Sequence, residues 1–368
     1  MSENFNFHQL FQNLLAKLTE REQIVLKNRY HLTNELNKKS TLKKIGDLYN
    51  ITRERVRQIE KEAVRKIKEL AQEQEYADFL KNLEKECAEY IEKNGGLVRE
   101  DVLVNDFIKP NFPLENWHSN AFLFVMEHLL DRTQRVLDHE YFYPIWKTDE
   151  LNLDKVIDWL RQIEKELIEQ KELLQHEQML VLAKEKLVTE LAGYFSLLQQ
   201  KHGLQDTQKF LEAHLDATSK IEKNIINEWG LAHWENVQPK KLGDKIALIF
   251  KKENKPLHFR EIAEAINQAK FDGKKICAAT VHNELIANGE FVLIGRGLYA
   301  NKNWGFVTGT VADIIRSIFA ESEEPMTKEK IIEEVLRQRQ VNRSTVYLTL
   351  INKNKFQKTP DGKFYLLK

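Results

Sequence analysis

Thr41 to Ile67 reads TLKKIGDLYNITRERVRQIEKEAVRKI, and its residue types meet the steric needs of two helices joined by a tight turn. Thr41 is placed to cap a short helix over Leu42–Tyr49, and Thr52 to cap a second one. Gly46 supplies a small residue where the two helices approach, and Asn50 falls at the turn, where a left-handed backbone is tolerated by Gly or Asn. Ile45, Leu48, Ile51, Val56 and Ile59 are the expected shared core. Along the second helix Val56, Ile59, Ala63 and Ile67 step by three, four and four on one face, so Arg53, Glu54, Arg57, Gln58 and Lys61 point away from that core.

The outward set has the chemistry of groove reading. Arginine donates two hydrogen bonds to guanine, glutamine pairs with adenine, and glutamate accepts from the cytosine amino group. Arg53, Glu54, Arg57 and Gln58 are therefore the candidate base readers, and Thr52, Arg55, Lys61, Arg65 and Lys66 the candidate backbone contacts. Thr52 also sets the helix N-terminus where its free amides meet a phosphate. A charged amphipathic helix standing alone is more often a solvated face. Here a complete turn signature precedes it, and residues 38–68 hold 11 basic against 4 acidic side chains, a net +7.

That local charge is invisible in the whole chain, whose 368 residues carry 56 Lys+Arg and 56 Asp+Glu. By segment, residues 1–37 sum to zero, 69–239 to −15, 240–303 to +5 and 304–368 to +3. Two basic ends cancel an acidic middle. A composition of 42% hydrophobic and 30% charged residues excludes general disorder. No stretch approaches about 18 consecutive apolar residues, and the polar start MSENFNFHQL lacks the layout of a signal peptide, so a cytoplasmic, nucleoid-associated protein without membrane contact is expected. Cys87 and Cys277 are too few and too far apart for a disulfide framework or a zinc site, and both are expected as buried thiols. No cofactor, metal or small-molecule ligand is implied.

Scarce Gly (14) and Pro (7) and apolar residues at helical spacing make the chain mainly α. We expect a multi-domain helix-turn-helix and winged-helix chain with short β-hairpin wings and a central helical region, divided at 1–70, 71–149, 150–238, 239–304 and 305–368. In the first segment Thr19 and Glu22 form a capping box for a helix running to about Tyr30. The second segment reads as a possible winged-helix module, with a helix starting near Arg99 and a hairpin over Val136 to Trp146. In the third, Leu153, Val156, Leu160, Ile163 and Leu167 step by three and four until Gln170, which favours a helical hairpin within the chain over a long coiled coil. Trp117, Trp146, Trp159, Trp229, Trp234 and Trp304 are expected as core anchors.

Beyond Pro239 the sequence repeats. Lys255-Pro256-Leu257, Thr280-Val281, Leu285-Ile286, Phe291 and Tyr299 align with Glu324-Pro325-Met326, Thr345-Val346, Leu350-Ile351, Phe356 and Tyr365. Each copy reads as three helices and a hairpin, with turns at Gly295-Arg296-Gly297 and Pro360-Asp361-Gly362. Lys274, Lys275, His282, Arg296 and Arg343 are possible secondary DNA contacts, or equally a solvated surface.

Residues Leu18 to Leu70, above all LTEREQIVLKNRY and TRERVRQIE, resemble region four of the sigma-70 family of bacterial transcription initiation factors. The resemblance implies that Arg53, Glu54, Arg57 and Gln58 read promoter DNA of the −35 type, that Arg55 and Lys61 approach its backbone, and that Leu18–Leu32 docks on the flap of the RNA polymerase β subunit. It covers this segment only, and no promoter-melting region two is expected upstream. Lys240 to Asn303, with PLHFREIAEAI, TVHNELIANGEF and GRGLYA, is similar to the HARE-HTH winged-helix domain, whose relatives include the polymerase delta subunit. No phosphate loop, HExxH or GxSxG motif points to an enzyme. The expected function is a bacterial DNA-binding transcription regulator that recognises promoter-like double-stranded DNA and contacts RNA polymerase. The alternatives are a delta-like polymerase accessory protein acting through protein contacts, or the targeting subunit of a nuclease or modification system.

Overall fold

The computed structural model describes residues 7–32, 40–112, 116–205, 207–307, 309–322, 324–351 and 355–366. The chain is mainly α with small antiparallel sheets. It forms two compact units, one of residues 1–222 with 229–232, the other of 223–228 with 233–368.

The first unit opens with helix α1 (Phe7–Ala16), whose Phe7, Leu10, Phe11, Leu14 and Leu15 are buried. Thr19 then caps α2 (Glu20–Tyr30) through the expected capping box, and His31 ends it in the left-handed conformation. The turn pair follows. Helix α3 (Leu42–Tyr49) starts at the Thr41 cap and ends at Asn50, whose φ of 53° is the left-handed backbone the turn requires. Thr52 caps α4 (Arg53–Ala71), with its hydroxyl accepting from the Arg55 amide at 3.1 Å. A Cβ at Gly46 would lie 2.6 Å from the carbonyl oxygen of Ile51, so only glycine lets the helices approach this closely. Of the expected shared core, Ile45 and Val56 are buried and Ile51 and Ile59 pack against them. Leu48 is 65% exposed. Helix α3 meets its neighbours along Leu42, Ile45 and Gly46, and Leu48 falls off that line.

After α5 (Gln74–Glu92), Gly95 and Gly96 turn with φ of +88° into strand β1 (Leu97–Arg99). Helices α6 (Glu100–Val102) and α7 (Lys109–Asn111) flank a π-helical stretch, Leu103–Ile108, and α8 (Asn116–Leu129) follows. The side chain of Trp117 lies outside the described residues. Strands β2 (Thr133–Val136) and β3 (Ile145–Thr148) complete a sheet of order β1-β3-β2, with Trp146 facing Val98 on one side and Arg135 on the other. One hydrophobic core joins α1, α2, α4, α5 and α8 to Val98 and Trp146, and so runs across residue 70. Next come α9 (Leu153–Gln170), α10 (His176–Glu185), α11 (Thr189–His202) and α12 (Gln208–Ala217), then β4 (Ile221–Lys223) and β5 (Trp229–Leu231). Helix α9 stops at Gln170, with Lys171 left-handed, and buries Val156, Trp159, Leu160, Ile163 and Leu167.

The second unit holds α13 (Leu242–Glu253), β6 (Leu257–His258), α14 (Phe259–Ala269), α15 (Ala278–Ala287), β7 (Phe291–Leu293) and β8 (Leu298–Asn301), with sheet order β6-β8-β7. A second set follows: α16 (Val311–Ser322), α17 (Lys328–Gln338), α18 (Arg343–Leu350), β9 (Phe356–Lys358) and β10 (Phe364–Leu366). Among the described residues one order therefore recurs beyond the two copies seen in the sequence. A helix leads to a short strand or bridge, then to further helices and a hairpin whose last strand pairs with that first one. The paired segments are β1 with β3, Leu174 with β5, β6 with β8, and Met326 with β10. Cys87 is buried but Cys277 is exposed, because it stands at the cap of α15 rather than inside it.

Candidate nucleic-acid interface

Helix α4 is divided lengthwise. Val56, Ala63 and Ile67 are buried, and the opposite face carries Glu54, Arg57, Gln58, Lys61 and Arg65 at helical spacing over about 16 Å. Arg53 and Arg55 flank that face, and all of Thr52, Arg53, Glu54, Arg55, Arg57, Gln58, Lys61 and Arg65 are exposed. The structure thus brings the expected base readers onto one solvated stretch immediately behind the turn. The buried half of the helix is fixed in the core, which holds the polar half in place.

Within the face the side chains bond to each other. The Arg57 guanidinium donates to both oxygens of Glu54, at 2.8 and 2.6 Å. That pair holds the Glu54 carboxyl below its ordinary range and raises Arg57. Arg55 Nη1 donates to the Gln58 side-chain oxygen at 3.1 Å. Arg65 bonds Glu62 at 3.0 and 2.6 Å and also reaches Glu69, which raises its pKa. Exposed pairs of this kind are weak and screened by salt, so a phosphate or base edge competes with them on equal terms. Among the described residues no carboxylate pairs with Arg53 or Lys61.

Lys66 is placed differently. Its ammonium donates to Glu22 Oε1 at 2.7 Å, and Glu22 is the buried capping-box residue of α2. Burial resists ionisation of Glu22, but the bonds from Lys66 and Thr19 outweigh it and hold the carboxyl below its ordinary range. Lys66 therefore ties α4 to α2. Sequence reasoning passed over this tie, and over Lys43 and Lys44, which are exposed on α3 beside the Thr41 cap. The signal for the second was the cap itself, whereas the Lys66–Glu22 contact joins residues that only the fold brings together.

Most apolar residues of the Leu18–Leu32 stretch are occupied internally, with Ile24 half-buried. Leu18, Val25, Leu26 and Leu32 are buried. The Tyr30 ring lies edge-on to Phe124 of α8 at 4.8 Å, its hydroxyl is 3.2 Å from His128 Nε2, and Asn120 donates to the His31 carbonyl at 3.3 Å.

In the second unit Lys274 and Lys275 are exposed on the loop before α15, Arg296 is exposed in the β7–β8 turn, and Arg343 is the exposed first residue of α18. His282 instead packs its ring on Phe259 and Tyr299, at 4.7 and 5.9 Å, and is half-buried. Among the described residues no group of His, Cys, Asp and Glu has the arrangement of a metal site, and no helix is long and apolar enough to cross a membrane.

Comparison with known proteins matches residues 14–69 to the sigma-70 region 4 family. RNA polymerase sigma factor SigA of Microcystis aeruginosa is 46% identical over 57 residues, 16% of this chain and 13% of that protein. SigA of a Bacillus species is 39% identical over 69 residues, 19% of this chain and 18% of that protein, and SigA of Listeria monocytogenes is 38% identical over the same length and shares. The chain thus covers less than a fifth of the length of these relatives. No solved structure matches. Residues 14–69 carry a segment of the sigma-70 region 4 kind, and a DNA-binding, transcription-related role attaches to that segment.

Proposed function

We propose that the chain is a bacterial transcription regulator that reads promoter-type duplex DNA, resembling the −35 element, by laying α4 in the major groove. The observation that carries this reading is the solvated face of α4. Arg53, Glu54, Arg57 and Gln58 stand together behind a capped turn, while the opposite face is locked in a core. Arg53, Arg57 and Gln58 offer donors to guanine and adenine, Glu54 an acceptor for cytosine, and Thr52, Arg55, Lys61 and Arg65 phosphate contacts. No step of this function requires catalysis. The test is a competition gel shift with Arg57→Ala and Gln58→Ala combined, after a specific duplex has been selected from a random pool. Discrimination against random duplex falls by about 1–3 kcal/mol per bidentate contact removed. Unchanged discrimination would refute base reading by α4.

Contact with RNA polymerase belongs to the same proposal, and one observation bears on how it occurs. Leu18, Val25, Leu26 and Leu32 lie under the chain's own helices, so docking on the polymerase flap through this stretch would have to use its accessible side chains, such as Arg21, Ile24 and Lys27. That favours DNA reading over a purely accessory, delta-like role for the module. We also read 71–149, 150–238, 239–304 and 305–368 as winged-helix-type modules, with 240–303 of the HARE-HTH kind. The recurring order of helix, first strand, helices and hairpin supports this reading. A polymerase pull-down that survives Arg53→Ala, Arg57→Ala and Gln58→Ala, with specific duplex binding also intact, would instead favour the accessory role.

A further inference from the structure

We propose that a groove between the end of α9 and α10 docks a basic amphipathic helix of a partner protein, which makes the middle of the chain a protein-binding platform. In the module reading given above, the helix before each hairpin stands where a recognition helix would. In both middle modules that helix is packed within the chain. Helix α8 puts Ala121, Phe122, Leu123, Phe124, Val125 and Met126 into the core shared with α1, α2 and α4. Helix α12 buries Phe210, Leu211, His214 and Leu215, and the turn at Gly95 comes so close that a Cβ there would stand 2.8 Å from Phe210 Cβ. The segment joining β2 to β3 is engaged as well, since Phe142 bridges Thr218 and the Tyr143 amide donates to the Ala217 carbonyl at 3.1 Å. Residues 69–239 also carry the net charge of −15, which repels a polyanion and attracts a basic partner.

The groove has a volume of about 440 Å³ and is open along one side. Leu174, Glu177, Val181, Leu182 and Glu185 line it, with Gln170 at the end of α9. Leu174, Glu177, Val181 and Glu185 step by three and four, so they form one stripe, apolar at Val181 and acidic on either side of it. Val181 is 58% exposed, and Leu182 beneath it is buried. Glu177 and Glu185 are exposed and stand about 12 Å apart along the helix. Among the described residues neither pairs with a cation, and Lys186, the residue after Glu185, is held by Glu166 at 2.7 Å. No cation lines the groove. An exposed valine between two unpaired carboxylates complements a helix with apolar residues at i, i+3 and i+4 and a lysine or arginine one turn to each side. The walls are long Glu and Gln side chains rather than a closed apolar lining, so a row of side chains fits better than a small molecule.

The probe is a fluorescein-labelled helical peptide with one leucine stripe flanked by lysines, titrated against the full chain by fluorescence anisotropy at low and high salt. Val181→Ser removes the apolar anchor and weakens binding about 10-fold at both salt concentrations. Glu177→Gln with Glu185→Gln weakens it about 5-fold at low salt and little at high salt, since exposed pairs are weak and screened. Ile168→Ser, at a comparably exposed apolar residue of α9 that does not line the groove, keeps the wild-type affinity. Each variant keeps the wild-type midpoint in urea, so lost binding is not lost folding. Unchanged affinity in Val181→Ser, or an equal loss in Ile168→Ser, would overturn the proposal. So would a peptide with serines in place of its leucines binding equally well, which would mark general charge attraction. Self-association of the wild-type chain that Val181→Ser abolishes would overturn it too, by making a second copy the occupant. No DNA enters this assay, so failure of base reading by α4 shows separately, in the gel shift alone.

Discussion

Replacing Gly46 by Ala tests whether the approach of α3 and α4 sets the position of the exposed face of α4. The new Cβ would stand 2.6 Å from the Ile51 carbonyl oxygen and 3.5 Å from the Arg53 nitrogen. The Ile51 oxygen is backbone of the turn, so it does not rotate away, and α3 has to retreat, whereas 3.5 Å is an ordinary contact. Overpacking of this kind costs about 1–3 kcal/mol, and the better helix propensity of Ala returns up to about 1 kcal/mol. The net cost, about 1–2 kcal/mol, falls on the turn that positions Thr52 and Arg53. Hydrogen exchange should show α3 and the first turns of α4 opening about 5- to 30-fold more often, with weaker binding of the selected duplex. Gly193, in α11, is the control: a Cβ there meets nothing within 4 Å, so Gly193→Ala stabilises by about 0.5–1 kcal/mol. Gly46→Ala exchanging no faster than wild type would refute the close-approach argument.

Three further outcomes are expected. Thr52→Ala removes the hydroxyl that accepts from the Arg55 amide and costs about 1 kcal/mol in local stability, read by exchange of the amides at the start of α4. His214 is fully buried with Nδ1 donating to the Phe210 carbonyl at 2.7 Å, and burial lowers its pKa to about 4 from the ordinary 6.5. Above pH 6.5 both states are neutral, and between about 6.5 and 4 only the unfolded chain takes up the proton. Stability of the first unit therefore falls by about 3 kcal/mol as pH drops through that window. In urea unfolding at several pH values His214→Leu should flatten this dependence, and an equally steep curve would exclude His214 as its source. Glu92 is 1% exposed and accepts from Lys201 at 2.8 Å, His202 at 2.7 Å and Arg132 at 3.3 Å. Burial opposes its charge, yet these cations hold its pKa below the ordinary value. Glu92→Gln removes the counter-charge of cations that, apart from His202, are half exposed, and costs about 1–3 kcal/mol in the same assay.

What could be read in the sequence was what neighbouring residues decide among themselves. The Thr19–Glu22 box, the caps at Thr41 and Thr52, the left-handed Asn50 and the split face of α4 all depend on spacings of a few residues. Leu48 was misplaced because periodicity alone does not say how α3 is rolled against α4, and Gly46 decides that. The pairings of Arg57 with Glu54 and of Arg65 with Glu62 were open to view at helical spacing. The contact of Lys66 with Glu22 was not, since it forms only when α2 and α4 meet. The recurring order of elements before residue 239 was obscured because the first strand is three residues long in one case and a single bridge at Leu174 in the other.

The contact of α8 with α2 has the largest consequence for function. Tyr30 and the leucines around it form an apolar surface that, in an isolated helix-turn-helix, would be free for a partner. Here Phe124 and His128 cover it, and α4 continues as one 19-residue helix whose C-terminal half lies in the same core. The exposed face of α4 is therefore backed by one continuous helix. Its orientation is set by α1, α5 and α8. Under the proposed DNA reading, the weak exposed pairs of this face, Glu54 with Arg57, Arg55 with Gln58 and Arg65 with Glu62 and Glu69, are bonds that binding has to exchange.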